Sequence, residues 1–254
     1  MIITIANQKG GVGKTTTATA IAAVLRKRGF KTLLIDADQQ CNSTDTYKAK
    51  VEGVSTLYDV LLEEEPIPAQ EAIQATQSGD IIAGDTLLRE AETRLKSDIS
   101  GRFRLQEALE ELKDYDYIII DTTPYMGELL YSALIAADKV LIPVTADRYS
   151  VQGLAQLSKT ISSIKKRLNS RLQIMGLLLT KYNGRTILAQ DSKEALERLA
   201  ADLGTKLFDT TIRSSTKAQE AQAVRKPLNE YAPKSTTAQD YETFVNELLE
   251  KGDL

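Results

Sequence analysis

Histidine is absent from this chain of 254 residues, and cysteine occurs once, at Cys41. The first absence removes the usual general base and the commonest metal ligand. The second excludes a disulfide within the chain and any zinc or iron–sulfur site built from its own cysteines. Chemistry here has to rest on Lys, Asp, Thr, backbone amides and a hard cation such as Mg2+. No apolar run approaches the roughly 20 residues that cross a bilayer, and the apolar stretch 2–6 is too short for a secretion signal. A cytoplasmic protein is expected. The 14 glycines and 6 prolines are scattered, leaving no linker, repeat or low-complexity tract. What remains is 42% apolar and 26% charged, the make-up of an ordinary globular chain. One α/β core accommodates this length, so a single domain over 1–254 is expected.

The net charge of −3 argues against a protein that is basic throughout, yet it conceals a gradient. Residues 1–150 hold 16 basic and 23 acidic side chains, whereas 159–234 hold 15 basic and 7 acidic. A local basic face fits the second segment.

Residues 2–6 form a short β-branched run that stops at a glycine loop, and 15–25 is Ala-rich and helical up to Gly29. Further apolar runs at 31–35, 117–120, 140–144 and 174–180, with a short one at 80–83, lack polar alternation. That suits strands buried on both faces of a parallel sheet. Segments with helical spacing lie at 57–64, 87–95, 103–112, 129–137, 151–168, 187–203 and 241–249. Strands alternating with helices imply right-handed crossovers. The expected fold is a doubly wound, mostly parallel α/β sheet flanked by helices.

The loop after the first run reads Lys9-Gly10-Gly11-Val12-Gly13-Lys14-Thr15-Thr16. Glycines let successive backbone N–H groups approach phosphate oxygens with no Cβ in the way, and the following helix adds its positive end. In such a loop Lys14 bridges the β- and γ-phosphates of ATP, Thr15 coordinates Mg2+ and Thr16 bonds the α-phosphate. Beside the glycines stands a second lysine, Lys9. In this the chain resembles the deviant Walker A branch of the P-loop NTPases, whose signature is the extra lysine. The resemblance implies that Lys9 crosses a dimer interface to touch ATP bound by the second subunit, a charge supplied in trans.

The segment Asp36-Ala37-Asp38-Gln39-Gln40-Cys41-Asn42-Ser43-Thr44 is similar to the family's first switch, D-x-D-P-Q-x-N-x-T, with Gln39 in place of Pro and Cys41 where Gly is usual. Both aspartates end a strand, where a doubly wound sheet places its ligand. The resemblance implies that Asp38 positions the attacking water and that Asp36 supports Mg2+ through water. Asp121 fits the Walker B carboxylate that serves the same ion. The family usually continues D-x-P-P, and this chain has Asp121-Thr122-Thr123-Pro124.

Likeness to the ParA/Soj partition branch extends along nearly the whole chain. Its segments are 179–186, with Thr180 and Lys181 expected beside the nucleotide, 208–213, and 226–233 with Lys226-Pro227. The resemblance implies ATP-dependent homodimerisation, non-specific DNA binding through Arg185, Arg213 and Lys217, and weak hydrolysis stimulated by a ParB-like centromere-binding activator. It also implies association with the nucleoid when ATP is bound. With its first strand at the start, the chain is similar to the small form that lacks an N-terminal helix-turn-helix.

Three neighbouring classes are set apart by particular residues. A MinD-like membrane-positioning ATPase needs a basic amphipathic C-terminal helix, but 241–254 carries four acids and one base, which an anionic bilayer repels. No membrane partner is expected. A nitrogenase-reductase-like carrier needs two cluster-ligating cysteines per subunit, and Cys41 is alone. An ATPase positioning protein cargo uses the same nucleotide site and stays open as an alternative.

Overall fold

The computed structural model describes residues 1–62, 66–98, 100–184 and 187–254, apart from the side chains of residues 148, 149, 151, 152, 187 and 188. Seven strands form one sheet: β1 Ile2–Ile5, β2 Thr32–Ala37, β3 Ile73–Thr76, β4 Gly79–Ile82, β5 Tyr117–Thr122, β6 Lys139–Thr145 and β7 Gln173–Thr180. Their spatial order is β3-β4-β2-β5-β1-β6-β7. Every neighbouring pair is parallel except β3 with β4. The mostly parallel, doubly wound sheet expected from the apolar runs is therefore present. Its antiparallel edge strand β3 has no counterpart among those runs, because Ile73-Gln74-Ala75-Thr76 is half polar and only partly buried.

The lack of alternation in the strand sequences has a simple cause. Leu34 and Ile119 pack on one face with Ile3 and Ile5, while Leu33, Ile35, Ile118 and Ile120 pack on the other. Successive side chains point to opposite faces, so a sheet covered on both sides needs apolar residues at every position. The first face is covered by α1 (Lys14–Lys27) and by the C-terminal helix Thr236–Glu250, which supplies Tyr241, Phe244 and Leu248. α1 is buried nearly all round, which its alanines permit, and Arg26 and Lys27 in its last turn oppose the helix dipole before Gly29 ends it at φ +89°. The helices Leu57–Leu62, Glu128–Ala136 and Arg148–Arg167 lie on the other face.

The expected helices at 57–64 and 187–203 appear as Leu57–Leu62 and Ile187–Asp202, residues 63–64 falling outside the described residues. The C-terminal one begins earlier than its apolar spacing suggests, at Thr236, because the Ser235 hydroxyl caps it by accepting from the Ala238 amide. The segment 87–95 divides into a 3-10 turn, Thr86–Glu90, and a helix, Ala91–Ser97. Among the described residues no helix is long and apolar enough to cross a membrane.

Candidate active site

β1 sits mid-sheet between β5 and β6, with β2 beyond β5 and β7 beyond β6, so the carboxyl ends of all five open onto one crevice. A cavity of about 410 Å3 lies there, lined by the glycine loop, Asp38, Gln40, Asn42, Pro124, Thr180 and Lys181, with the 212–222 segment and Tyr241 closing the far side. Gly10, Gly11, Gly13, Lys14, Thr15 and Thr16 all reach it. Gly11 and Gly13 adopt φ +75° and +89°, which only glycine holds without strain, and nothing stands within 4 Å of where their Cβ atoms would be. That open space is the cradle a phosphate chain requires. Val12 faces inward at 1% exposed and contributes backbone alone. Its carbonyl accepts from the Thr180 hydroxyl at 2.7 Å, and the Val144 carbonyl accepts from the same group at 3.0 Å. Thr180 thus ties the loop to the ends of β6 and β7.

Lys14 is 6% exposed. Burial lowers its pKa, while the charges of Asp121 and Asp38 work in the opposite direction. Asp36 and Asp121 are register partners on β2 and β5, so their carboxylates lie side by side and wholly buried. Burial pushes Asp121 up to about 7, with the Asp36 charge adding to it, and burial pushes Asp36 up to about 6 against the hydrogen bonds of Thr44. Two residues to which the sequence pattern assigns no role hold this pair. The Ser43 hydroxyl donates to Asp121 Oδ2 at 2.8 Å, and the Thr44 amide and hydroxyl both donate to Asp36 Oδ2 at 2.7 Å. Asp36 does not line the cavity. Asp38 does, its Oδ1 accepting from the Gln40 amide at 3.0 Å.

The residues present fit a magnesium ion. Asp121 Oδ1 is buried without a hydrogen-bond partner, a cost that a hydrated cation beside Thr15 would relieve. Among the described residues no three acidic or cysteine side chains cluster as a metal cage. Mg2+ binds through one or two carboxylates, water and substrate phosphates, a donor set that Asp121, Thr15 and a nucleotide would supply.

The departures from the switch pattern acquire physical meaning. Cys41 stands at φ +54°, in the left-handed region where glycine is unstrained. It opens a six-residue helix, α2 (Asn42–Tyr47), which Lys48 closes at φ +53°. Arg225, itself at φ +55°, donates to Asp45 of α2 at 2.7 Å. Burial raises the Cys41 pKa to about 12, with Asp36 and Asp85 adding, so the thiol stays protonated and inert. Thr123, where a proline is usual, accepts from the Tyr125 amide at 3.2 Å and so builds a turn by hydrogen bond.

Lys9 points away from the cavity. Its ammonium is paired with the Asp147 carboxylate and lies 3.2 Å from the Thr145 hydroxyl, both at the end of β6. Burial would raise the Asp147 pKa, but the bonds from Lys9 and Thr145 outweigh it and hold the carboxyl at about 2. The far wall of the cavity runs beside β7, where the Tyr182 amide donates to the Ile212 carbonyl at 2.9 Å. Arg213 also lines the cavity, and its guanidinium is committed to Asp240, with Nη2 at 2.6 Å. Lys217 lies outside the cavity, paired with Glu220 at 2.7 Å. Arg185 falls outside the described residues.

The same wall is pinned from behind by Glu247, whose side chain is 8% exposed and accepts from the Asp209 and Thr210 amides and from Lys251. Burial would raise its pKa, but those bonds dominate and lower it from 4.5 to about 2. A depressed carboxylate stabilises the fold above its unfolded pKa and loses that contribution as pH falls toward the folded value. Glu247→Gln is therefore expected to cost about 2 kcal/mol at pH 7. Denaturant melts of both proteins should show the gap closing between roughly pH 5 and 2. A gap independent of pH would refute the assignment.

Residues 1–174 match the family model described as an AAA domain (AAA_31). The sporulation initiation inhibitor protein Soj of Bacillus subtilis is 39% identical over 257 residues, covering 99% of each chain. The chromosome partitioning protein ParA of Caulobacter vibrioides is 36% identical over 98% of this chain and 94% of its own. A solved structure of cobyrinic acid a,c-diamide synthase from Mycobacterium smegmatis, with bound ATP analogue and magnesium, is similar at a TM-score of 0.84 and 28% identity, covering 99% of this chain and 95% of that one.

Proposed function

Starting from the fact that this chain belongs to the ParA/Soj family of P-loop partitioning ATPases, we propose that it is a cytoplasmic ATP-operated dimer that binds DNA without sequence preference and moves a plasmid or chromosome. The observation that carries this reading is the convergence of the glycine loop, Lys14 and Asp38 on one cavity while Lys9 stands at its margin, held by Asp147. A lysine on the rim is placed to leave its own protomer and reach a second.

Within each protomer the amides of Gly11, Gly13 and Lys14 and the Lys14 ammonium hold the β- and γ-phosphates, and Thr16 holds the α-phosphate. Thr15, with Asp36 and Asp121 acting through water, are the residues that would hold Mg2+, which when bound supplies positive charge against the phosphate oxygens. Asp38, fixed by the Gln40 amide, orients a water molecule toward the γ-phosphorus. Hydrolysis breaks the bond between the γ-phosphorus and the bridging oxygen and yields ADP and phosphate, with no covalent intermediate on the protein. The γ-phosphate gives the closed dimer contacts that ADP cannot supply, so ATP closes it and hydrolysis opens it. A ParB-like activator is the partner that would speed this slow step.

Two variants of the lysine latch test the dimer. Lys9→Ala is expected to bind ATP yet sediment as a monomer with a slowly hydrolysed analogue. Asp147→Ala frees Lys9 from its intrachain partner and is expected to shift the monomer–dimer midpoint to lower protein concentration by about 2- to 5-fold, the worth of a half-exposed ion pair. Wild-type protein that sediments identically with ADP and with the ATP analogue would sink the reading.

A further inference from the structure

Two of the three cations that the family resemblance points to are already engaged: Arg213 is held by Asp240 and Lys217 by Glu220. A different group is not. The helix Arg148–Arg167 contains no acidic residue, and its last turn carries Lys165, Lys166 and Arg167. Arg171 follows, exposed, at the start of the turn into β7. Among the described residues none of these, nor Lys159, has a carboxylate within ion-pair distance. Cations in a final turn also offset the helix dipole, but that accounts only for the last three side chains of the helix. Lys159 lies two turns earlier, and Arg102 joins the group from a separate 3-10 turn.

Lys159, Arg167 and Arg102 line a groove of about 460 Å3. Thr160, Ser163, Ile164 and Leu168 complete its lining on the helix side. Arg102 is steadied by Glu128 at 2.5 Å and lies over the Tyr131 ring. Glu128 is the acid beside the groove, and its charge is consumed by that pair.

We infer that this groove and the helix end beside it form a phosphate-contacting surface for duplex DNA, with Lys159, Lys166 and Arg167 as its principal cations. The inference rests on the DNA-binding reading above and names where on the chain the contacts lie. From Lys159 to Arg167 the helix rises about 12 Å, a span along which one strand of B-DNA presents roughly three or four phosphates at about 3.4 Å each. Unpaired, exposed cations pay no cost of breaking an existing ion pair when a phosphate arrives. Arg213 and Lys217 would have to exchange a carboxylate partner for each phosphate gained.

The surface lies far from the nucleotide. The helix starts beside Asp147 at the carboxyl edge of the sheet and, about 30 Å long, ends at the opposite edge, where Asn169 donates to the carbonyls of Leu134, Ile135 and Ala137. The cations therefore stay open in a dimer closed through Lys9. ATP controls their affinity by joining two weak surfaces, each adding to the effective concentration of the other. The monomer keeps a weak, nucleotide-independent share.

The test is fluorescence anisotropy on a random-sequence duplex over a salt series, with the ATP analogue and with ADP. The proteins are wild type, Lys159→Glu/Arg167→Glu, Lys9→Ala, and Lys159→Gln/Arg167→Gln, which removes charge without adding repulsion. The charge-reversed variant is expected to bind at least about tenfold more weakly, and the glutamine variant to be affected less, with the log–log salt slope shallower by about 0.9 for each phosphate no longer neutralised. Dimerisation and basal hydrolysis should hold at wild-type levels, which also shows that the variants fold. Lys9→Ala should keep weak binding that ignores nucleotide. Wild type binding DNA while both groove variants bind it equally well overturns this surface and leaves the DNA-binding reading standing. Wild type ignoring DNA in every nucleotide state overturns both, and the protein-cargo alternative takes over. Variants that bind DNA normally but no longer respond to the activator would reassign the groove to an acidic protein segment and overturn the proposal.

Discussion

Lys14→Ala is expected to weaken ATP binding by at least about 100-fold. The ammonium is 6% exposed and faces Asp121 and Asp38 across the cavity. Removing it leaves the phosphates held by backbone dipoles opposite three acidic residues, Asp36, Asp38 and Asp121. Truncating one member of a buried charge pair typically costs about 3–5 kcal/mol, which at about 1.4 kcal/mol per decade is a loss of about two to three and a half decades. Titration calorimetry with Mg-ATP checks it, and an affinity within tenfold of wild type would remove Lys14 from its assigned place. The variant should fold normally, since an ammonium that burial already disfavours is replaced by a neutral methyl group.

Asp38→Ala is expected to separate binding from turnover. Its carboxylate reaches the cavity, accepts only a local amide from Gln40 among the hydrogen bonds of its side chain, and is not part of the glycine loop. Loss of a group that orients the attacking water typically costs about 100- to 10,000-fold in rate. Nucleotide should stay bound, so dimer should accumulate with ordinary ATP, a behaviour expected of wild type only with the slow analogue. Single-turnover hydrolysis and sedimentation together decide the matter. Near-normal hydrolysis would move the water-positioning role to another residue, Gln40 being the nearest on the same segment.

The parallel core of the fold was legible because burial on both faces leaves a mark that short sequence windows retain. The runs at 117–120 and 140–144 are apolar at nearly every position, and both are strands. β3 left no such mark: at the sheet edge, partners on one side and solvent on the other make a polar sequence acceptable. The glycine loop was legible as a turn between strand and helix, and the folded chain puts Gly11 and Gly13 at the positive φ that their spacing allows. Ser43 and Thr44 sit within the switch segment, but their roles were hidden because they bond carboxylates 78 and 8 residues away. The Asp147 latch on Lys9 spans 138 residues and depends on β1 and β6 being neighbours, which no local pattern announces. Arg213 and Lys217 are visible as cations in the sequence, while their engagement by Asp240 and Glu220 emerges only when the chain is folded.

Six residues are too few to sustain α2 as a helix by itself, since isolated helices shorter than about 12 residues are marginal in water. Left-handed non-glycine residues at both ends cost roughly 1 kcal/mol apiece or more. The segment persists because Ser43 and Thr44 are bonded to the buried aspartates and Asp45 to Arg225. Its stability is thus borrowed from those few bonds, and losing them would release the segment. Opening of this segment would leave the sheet that carries the glycine loop in place.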